Sequence, residues 1–241
     1  MRAVRTLALG LIGWAVFAGS SVGAEDAAAL GARLLGEAKL ASGGEAWDRI
    51  QGWHERGDIP TDHGVAAYDA WADVHHPALL VQVNAEGHTT SDGFDGKRAW
   101  SVDRKGAMKV DDSAEAISKA RRNAYFAMYG FFFPGRFPTR AAYVGSHQGD
   151  GVTYDVIEVQ PVGGAASDLW LDRNTHLPLA VVSLDKARPM TTFLGDFKVV
   201  DGVSLPFTVQ QGPDAAHQLV RHVAAYDFDP VPPERFARPL R

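Results

Sequence analysis

The sequence predicts an α+β protein in which one unclosed antiparallel β half-barrel of about eleven strands holds helices on its concave face. Three observations support this architecture. A helical segment with one apolar stripe follows an export signal, strand-like segments separated by turn residues fill most of the remainder, and a second helical segment interrupts them halfway. If the helices cover only part of the concave face, an apolar cavity is left between helix and sheet.

The first 24 residues have the pattern of a secretory signal. Arg2 and Arg5 supply the charged start, an apolar run covers residues 7–18, and small residues lead to Ala24. The apolar run is shorter than the roughly 20 residues that a membrane-spanning helix needs. We therefore expect residues 1–24 to be cleaved and the protein to be located in the periplasm.

The segment after the signal is predicted to form an amphipathic helix. Leu30, Leu34 and Ala38 fall on one helical face. The pair Gly43–Gly44 ends this helix, because glycine readily adopts the backbone conformation found after a last helical turn. A short helical turn around Trp47 is expected to follow.

Two runs of strand-like segments flank a central helix. The apolar period changes to two in residues 53–110, and again in residues 141–228, where seven segments are predicted. Glycine-containing pairs separate the segments, which is typical of an antiparallel meander. Asp201–Gly202 is the strongest of these pairs and predicts a type I′ hairpin. No linker divides the chain, so residues 25–229 are predicted to form a single domain.

The central helix is expected to start with Asp112 as its N-cap, with Glu115 three residues later, and to end at Gly130. The end of this helix and the loop that follows it contain an unusual density of rings. In the stretch Tyr125–Pro138, seven of fourteen residues are Phe or Tyr. We call residues 125–137 the aromatic segment.

The end of the chain is predicted to be a loose Pro-rich tail. Residues 230–241 read PVPPERFARPLR. Proline lacks the N–H group that a residue in a central strand donates, so this segment is not expected to join the sheet.

Composition limits the functions that the chain can have. Loss of Arg2 and Arg5 changes the formal net charge from −5 to −7, which disfavours nucleic-acid binding. The chain has no cysteine, which excludes disulfides, thiol nucleophiles and thiolate metal sites. We identify no H-E-x-x-H motif, no G-x-S-x-G motif and no phosphate-binding glycine loop. The sequence therefore predicts no catalytic residues, no metal and no cofactor.

The aromatic segment is the strongest candidate for a binding site. An exposed apolar patch usually marks such a site, and three consecutive rings after a helix end are not expected to face one core together. The alternative is that most of these rings belong to an ordinary core. The candidate ligand-binding residues are Tyr125, Phe126, Met128, Tyr129, Phe131, Phe132, Phe133 and Phe137, together with Trp71 from an early strand.

Four segments share a pattern of strand ends and turns. They read, in chain order, LASGGEAWDRI, GFDGKRAWSVDRKG, DLWLDRNTHLPLAVVSLD and TTFLGDFKVVDGVSLPFTV. In this order and spacing they resemble the LolA-like periplasmic family, which contains lipoprotein-sorting and lipoprotein carrier proteins. The resemblance extends over residues 30–228. It implies a half-barrel wrapped over helices, with a hydrophobic cavity that takes acyl chains.

Taken with this resemblance, the sequence predicts a periplasmic carrier that holds a lipid or an acylated protein in an apolar cavity. Residues 113–130 and the loop to Pro138 are expected to gate the cavity, and an envelope protein would deliver or receive the ligand. Two alternatives stay open. A protein-interaction or sensor module would present the aromatic rings on the outer surface. A hydrolase would bring carboxylate and His side chains together in one pocket.

Overall fold

The computed structural model of the chain describes residues 23–149, 151–185, 189–214 and 217–239. Apart from Gly23 and Ala24, the predicted export signal lies outside these ranges. Within them, no helix combines the length and the apolar character needed to span a bilayer.

Two α-helices and several 3₁₀ helices accompany the sheet. Helix α1 spans Ala24–Ala41 and helix α2 spans Ala114–Ala127. The 3₁₀ helices cover Gly44–Arg49, Gly130–Phe132 and Pro233–Phe236.

In the described part of the chain, thirteen strands form one antiparallel sheet, which confirms the predicted α+β class and exceeds the expected strand number by two. The seven segments predicted after α2 are present, so the difference lies before α2, where the structure has six strands. The strands are β1 Trp53–Thr61, β2 Gly64–Ala72, β3 Leu79–Ala85, β4 His88–Phe94, β5 Ala99–Val102, β6 Met108–Asp111, β7 Thr139–Gly149, β8 Val152–Pro161, β9 Ser167–Asp172, β10 Pro178–Ser183, β11 Thr191–Val200, β12 Val203–Gly212 and β13 Leu219–Asp227.

The sheet consists of two meanders that share one central strand pair. Its order is β6-β5-β4-β3-β2-β1-β13-β12-β11-β10-β9-β8-β7. Strands β1 and β13 pair antiparallel, with His54 opposite Asp227. The first run of strands therefore ends at β6, the second at β7, and these two strands are the edges of the described sheet.

The hairpin predicted at Asp201–Gly202 is present between β11 and β12. Val200 pairs with Val203, so the loop contains two residues. Both have a positive φ, 49° for Asp201 and 86° for Gly202, as a type I′ turn requires. This turn fixes the register of the two strands on which the 3₁₀ helix after α1 packs.

Helix α2 begins one residue later than predicted. Its N-cap is Ser113, whose hydroxyl accepts a hydrogen bond from the N–H of Ala116 at 3.2 Å. The Asp111 carboxylate in turn accepts from the N–H of Ser113 at 3.0 Å. Asp112, the predicted cap, is exposed and lies 3.8 Å from Arg98. Serine and aspartate are equally good caps, so the sequence alone did not decide between neighbours.

The core lies on the concave face, between the sheet, α1 and the aromatic segment. The predicted stripe of α1 is buried there through Leu34 and Ala38. Helix α1 lies directly against β7, because a Cβ atom at Gly31 would come within 3.1 Å of the Ala142 backbone. Trp47 and Trp53 stack at the centre, with ring centroids 6.3 Å apart. Most apolar side chains of the helices are therefore used to cover this face.

The end of the chain is not the loose tail that the sequence predicts. The 3₁₀ helix Pro233–Phe236 packs on the opposite face of the sheet, where Phe236 is buried. The indole N–H of Trp100 donates to the Phe236 carbonyl at 3.3 Å. As expected, this segment does not join the sheet, but Phe236 and Val231 pack on the strand surface.

Candidate functional site

A cavity of ≈ 250 Å³ lies between the concave face of the sheet and helix α2. Both meanders contribute to its wall, and α2 covers it. Its apolar lining comes from Trp53, Ala70, Leu79, Val81, Phe126, Ala127, Tyr129, Phe131, Leu169, Val181, Met190, Leu194, Pro206, Val209 and Tyr226. The position and the lining are those expected when helices fill only part of a curved sheet.

Three of the candidate residues in the aromatic segment line this cavity. They are Phe126, Tyr129 and Phe131. Phe126 is half-buried on α2, whereas the rings of Tyr129 and Phe131 lie 5.5 Å apart and are almost fully covered. These three rings line the cavity from α2 and the segment that follows it, opposite the residues contributed by the strands.

The other five candidates in the segment are core residues that do not line the cavity. Phe132 meets the Trp47 ring edge-on at 4.9 Å, and Phe133 meets the same ring at 6.3 Å. The five residues are Tyr125, Met128, Phe132, Phe133 and Phe137, all buried in one cluster. The alternative that most of the rings are ordinary core therefore describes these five.

The three consecutive rings Phe131–Phe133 share one buried cluster, contrary to expectation, although one of them, Phe131, also meets the cavity. All three are at most 5% exposed. Phe131 and Phe132 belong to the 3₁₀ helix, and Phe133 follows it. Successive side chains of a 3₁₀ helix point about 120° apart, so each ring reaches a different part of the same cluster. Gly130 permits this turn, because a Cβ atom there would lie 2.5 Å from the Tyr125 ring.

The structure does not bring Trp71 to the cavity. It lies between Ala70 and Ala72, which are buried on the concave face, so strand alternation turns Trp71 to the opposite face. There its ring stacks on His54 at 4.6 Å, and the Arg235 guanidinium lies 4.8 Å from its centroid. A shift of one residue in the assumed strand register accounts for the misplaced candidate.

The cavity also contains polar groups that the sequence did not single out. Glu55 lines it from β1, and its carboxylate accepts a hydrogen bond from the Tyr68 hydroxyl at 2.8 Å. Burial raises the pKa of Tyr129 and of Tyr226 far above the ordinary value, and the Glu55 charge adds to both shifts. These two hydroxyls therefore stay protonated at physiological pH, and Tyr226 donates to the Pro206 carbonyl at 2.6 Å.

Most of the polar lining collects at one end of the cavity. Gln211 donates to the Thr192 hydroxyl at 3.2 Å. These two residues form a cross-strand pair that lies two residues along from the apolar pair Leu194–Val209. Arg122 of α2 donates to the Ser183 hydroxyl at 2.9 Å. We call this the polar end; it consists of Arg122, Asn123, Ser167, Ser183, Thr192 and Gln211. Arg221 lines the cavity from β13 and lies opposite Val209, two residues from the position opposite Gln211.

Helix α2 is attached to both sides of the open sheet by polar contacts. The Arg121 guanidinium donates to the Gly96 carbonyl at 3.3 Å and to the Val162 carbonyl at 3.4 Å. Gly96 belongs to the β4–β5 turn and Val162 follows β8, so these contacts reach opposite sides of the opening. Lys119 binds Asp185 at 2.7 Å, and the Ala165 N–H donates to the Ser118 carbonyl at 3.2 Å.

Two charged residues of the cavity lining, Glu55 and Arg221, were not among the candidates drawn from the sequence. Both lie on strands, with side chains on the concave face. Glu55 alternates with Trp53 and Gly57 on β1, and Arg221 alternates with Val223 on β13. A charged residue in an otherwise apolar row was a signal that could have found them. The cavity lining contains one carboxylate and no histidine within the described ranges, and the same part of the chain holds no cluster of three or more metal-ligating side chains.

Three solved structures have a similar fold. A LolA superfamily protein from Nitrosomonas europaea is 13% identical, with a TM-score of 0.58 over 86% of this chain and 97% of that one. A DUF1329 family protein from Desulfovibrio piger is 14% identical, with a TM-score of 0.56 over 88% and 97%. A domain assigned to outer membrane lipoprotein sorting, from Vibrio parahaemolyticus, is 13% identical, with a TM-score of 0.52 over 84% and 93%.

These similarities confirm the resemblance drawn from the four turn segments. The chain has a LolA-like fold: one open antiparallel sheet wrapped over helices. No protein-family model and no curated protein matches the sequence. At this level of identity the similarity concerns the fold alone.

Proposed function

We propose that this LolA-like half-barrel is a periplasmic carrier that binds an acyl chain, belonging to a lipid or to an acylated protein, in the cavity beneath α2. The observation that carries the proposal is the cavity itself, which has an apolar wall on both meanders and a polar end. Burial of a hydrocarbon chain against such a wall contributes ~0.8 kcal/mol per CH₂ group. The gain is non-directional, which suits a protein that has to bind and later release its ligand.

Helix α2 serves as the gate in this proposal. On the cavity side it contributes Phe126 and Ala127. Its N-terminal half is attached by polar contacts of Lys119 and Arg121, whereas its C-terminal half is held by the buried side chains of Ala124 and Tyr125. Exposed polar contacts of the first kind each contribute little to stability, so opening would begin at the N-terminal half. A few such contacts can therefore break and reform at a cost comparable to the gain from burying several methylene groups.

The distribution of rings favours this function over a protein-interaction module. Such a module would present the aromatic segment on its outer surface. Phe131, Phe132 and Phe133 are instead buried beneath α1 and against Trp47. An envelope protein that delivers or receives the ligand would then contact the outside of α2.

Native mass spectrometry of the protein purified from periplasm tests the proposal. A discrete added mass that extracts into organic solvent is the expected result. A protein that carries no such mass, and that takes up no fluorescent fatty acid, would contradict acyl binding.

A reversible lock on α2 tests the gate separately. The N–H of Ala165 and the carbonyl of Ser118 are hydrogen-bonded at 3.2 Å, so the two backbones are direct neighbours, as a disulfide between these positions requires. The native chain has no cysteine, so Ser118→Cys with Ala165→Cys introduces the only thiols. We expect the oxidised variant to exchange fatty acid much more slowly than the reduced one. Ser118→Cys alone is the control, and equal exchange in both redox states would contradict the gate.

A further inference from the structure

We infer that the ligand is an amphiphile with a single acyl chain and an anionic head group, and that Arg221 binds the head group. This inference rests on the proposed function and narrows its ligand class. It follows from two buried polar groups of the lining that have no hydrogen-bond partner in the described part of the chain, and from the size of the cavity.

Arg221 is placed to meet a ligand. It lies on β13 opposite Val209, and both residues line the cavity. Its Nε is buried and has no hydrogen-bond partner within the described part of the chain. The guanidinium lies 5.6 Å from the centre of the Tyr68 ring, which orients the group without satisfying its donors. A buried donor without an acceptor is unfavourable, so an acceptor supplied by a ligand would stabilise this side chain.

The other charged residues of the lining are already engaged. Arg122 donates to Ser183 and to the neighbouring Asn123, at 2.9 Å and 3.0 Å. The Glu55 carboxylate accepts a hydrogen bond from the Tyr68 hydroxyl, and the ring of this same Tyr68 lies beside the Arg221 guanidinium. The lining thus has two arginines and one carboxylate. The net charge of the cavity wall is therefore positive. Among its charged side chains, Arg221 has the buried N–H group without an acceptor in the described ranges, and this favours an anionic ligand.

A second polar side chain without a hydrogen-bond partner in the described ranges lines the cavity. Ser167 is 1% exposed, and its hydroxyl has no hydrogen-bond partner among the residues that the structure describes. It lines the cavity from β9 and stands opposite Ser183, the acceptor of the Arg122 bond. Two buried groups that could each bind an oxygen therefore line one apolar cavity.

The size of the cavity limits the number of chains. A cavity of about 150 Å³ lined by apolar side chains holds one benzene molecule. On that scale a volume of ≈ 250 Å³ accommodates roughly ten carbon atoms. One chain fits beneath the closed α2, whereas two or three chains would require α2 to move away.

Calorimetric titration with three probes of equal chain length tests the inference. Decanoate, decyl phosphate and decanol share the apolar chain, and only the first two are anionic at pH 8. We expect at least one anion to bind about tenfold more tightly than decanol. The anion that binds more tightly shows whether the head group of the ligand is a carboxylate or a phosphate. Arginine presents a planar fork of donors that suits either group.

Variants assign the effect to Arg221. Arg221→Gln should abolish the preference for the anion over decanol. Arg56→Gln removes the same charge from an exposed position on β1 and should change neither affinity.

The outcomes separate this inference from the proposed function. Equal affinities of the wild-type protein for decanol and both anions would overturn the anionic head group while leaving acyl binding intact. A preference that survives in Arg221→Gln would overturn the role of Arg221. Absence of binding by all three probes would overturn the proposed function as well.

Discussion

The aromatic segment contains two groups of rings that differ in their neighbours more than in their composition. Phe132 and Phe133 pack against Trp47 in the core, whereas Phe126 and Phe131 border the cavity. Phe131 and Phe132 are adjacent and almost equally buried, at 3% and 2% exposure. Burial alone therefore does not distinguish a ring of the core from a ring that lines the cavity.

Truncation of a core ring gives the largest expected effect. Phe132→Ala should reduce the free energy of unfolding by ~3–5 kcal/mol, since it leaves a void beside Trp47. Urea unfolding followed by tryptophan fluorescence measures this change. A loss below about 1 kcal/mol would show that the ring is not part of the core.

Truncation of a cavity ring should separate stability from binding. Phe126 is half-buried and lines the cavity from α2. Phe126→Ala is expected to cost about 1–2 kcal/mol of stability, which is less than Phe132→Ala, because part of the ring is already uncovered. Decanoate affinity of the folded variant should fall several-fold. Unchanged affinity would assign this ring to the structural group.

A change in the β11–β12 turn should affect the core group only. Gly202 has φ 86°, and a Cβ atom there would lie 3.2 Å from the Ala46 Cβ, in the 3₁₀ helix that carries Trp47. Gly202→Val should therefore destabilise the protein by roughly 1 kcal/mol or more. Asp201→Asn keeps a residue type that tolerates positive φ and is the matched control. Equal melting temperatures of Gly202→Val and wild type would contradict the type I′ turn.

A carboxylate on the opposite face should have the smallest effect on binding and a pH-dependent effect on stability. Burial, and secondarily the charge of Glu158, raises the pKa of Asp168 from 3.8 to about 6. The folded state thus favours the protonated form, and this stabilising contribution is complete below pH 3.8 and is lost as the pH rises through about 6.

The variant Asp168→Asn should consequently gain stability relative to wild type as the pH rises from 4 to 8, without a change in decanoate affinity. Thermal unfolding at a series of pH values measures this trend. Glu158→Gln should produce a smaller change in the same direction, because it removes the secondary cause. A pH-independent difference would mean that Asp168 titrates normally.

Much of the fold could be predicted because its signals are local. Asp201–Gly202 needs only two residues to specify a hairpin, and the apolar stripe through Leu34 and Ala38 needs only helical periodicity. The order of such turns was sufficient to indicate the LolA-like sheet. The exact cap of α2 was not predictable, because Asp112 and Ser113 are adjacent and equally suitable.

The site was less predictable because it depends on strand register and on contacts distant in sequence. Trp71 was assigned to the wrong face by a shift of one residue. Arg221 reaches the cavity through the pairing of β13 with β12, and Phe236 reaches Trp100 across 136 residues of sequence. Nothing in a single strand indicates which partner will lie beside it.

The bridge formed by Arg121 affects how the half-barrel responds to force. The β4–β5 turn and the loop after β8 are joined across the opening by one guanidinium, at 3.3 Å and 3.4 Å from its two acceptors. The thirteen strands are otherwise linked by continuous ladders that run the long way round the sheet. Stretching the opening would therefore load the hydrogen bonds and ion pairs of α2 before it loads the strand pairing. We expect the half-barrel to widen first along this line, with its ladders intact.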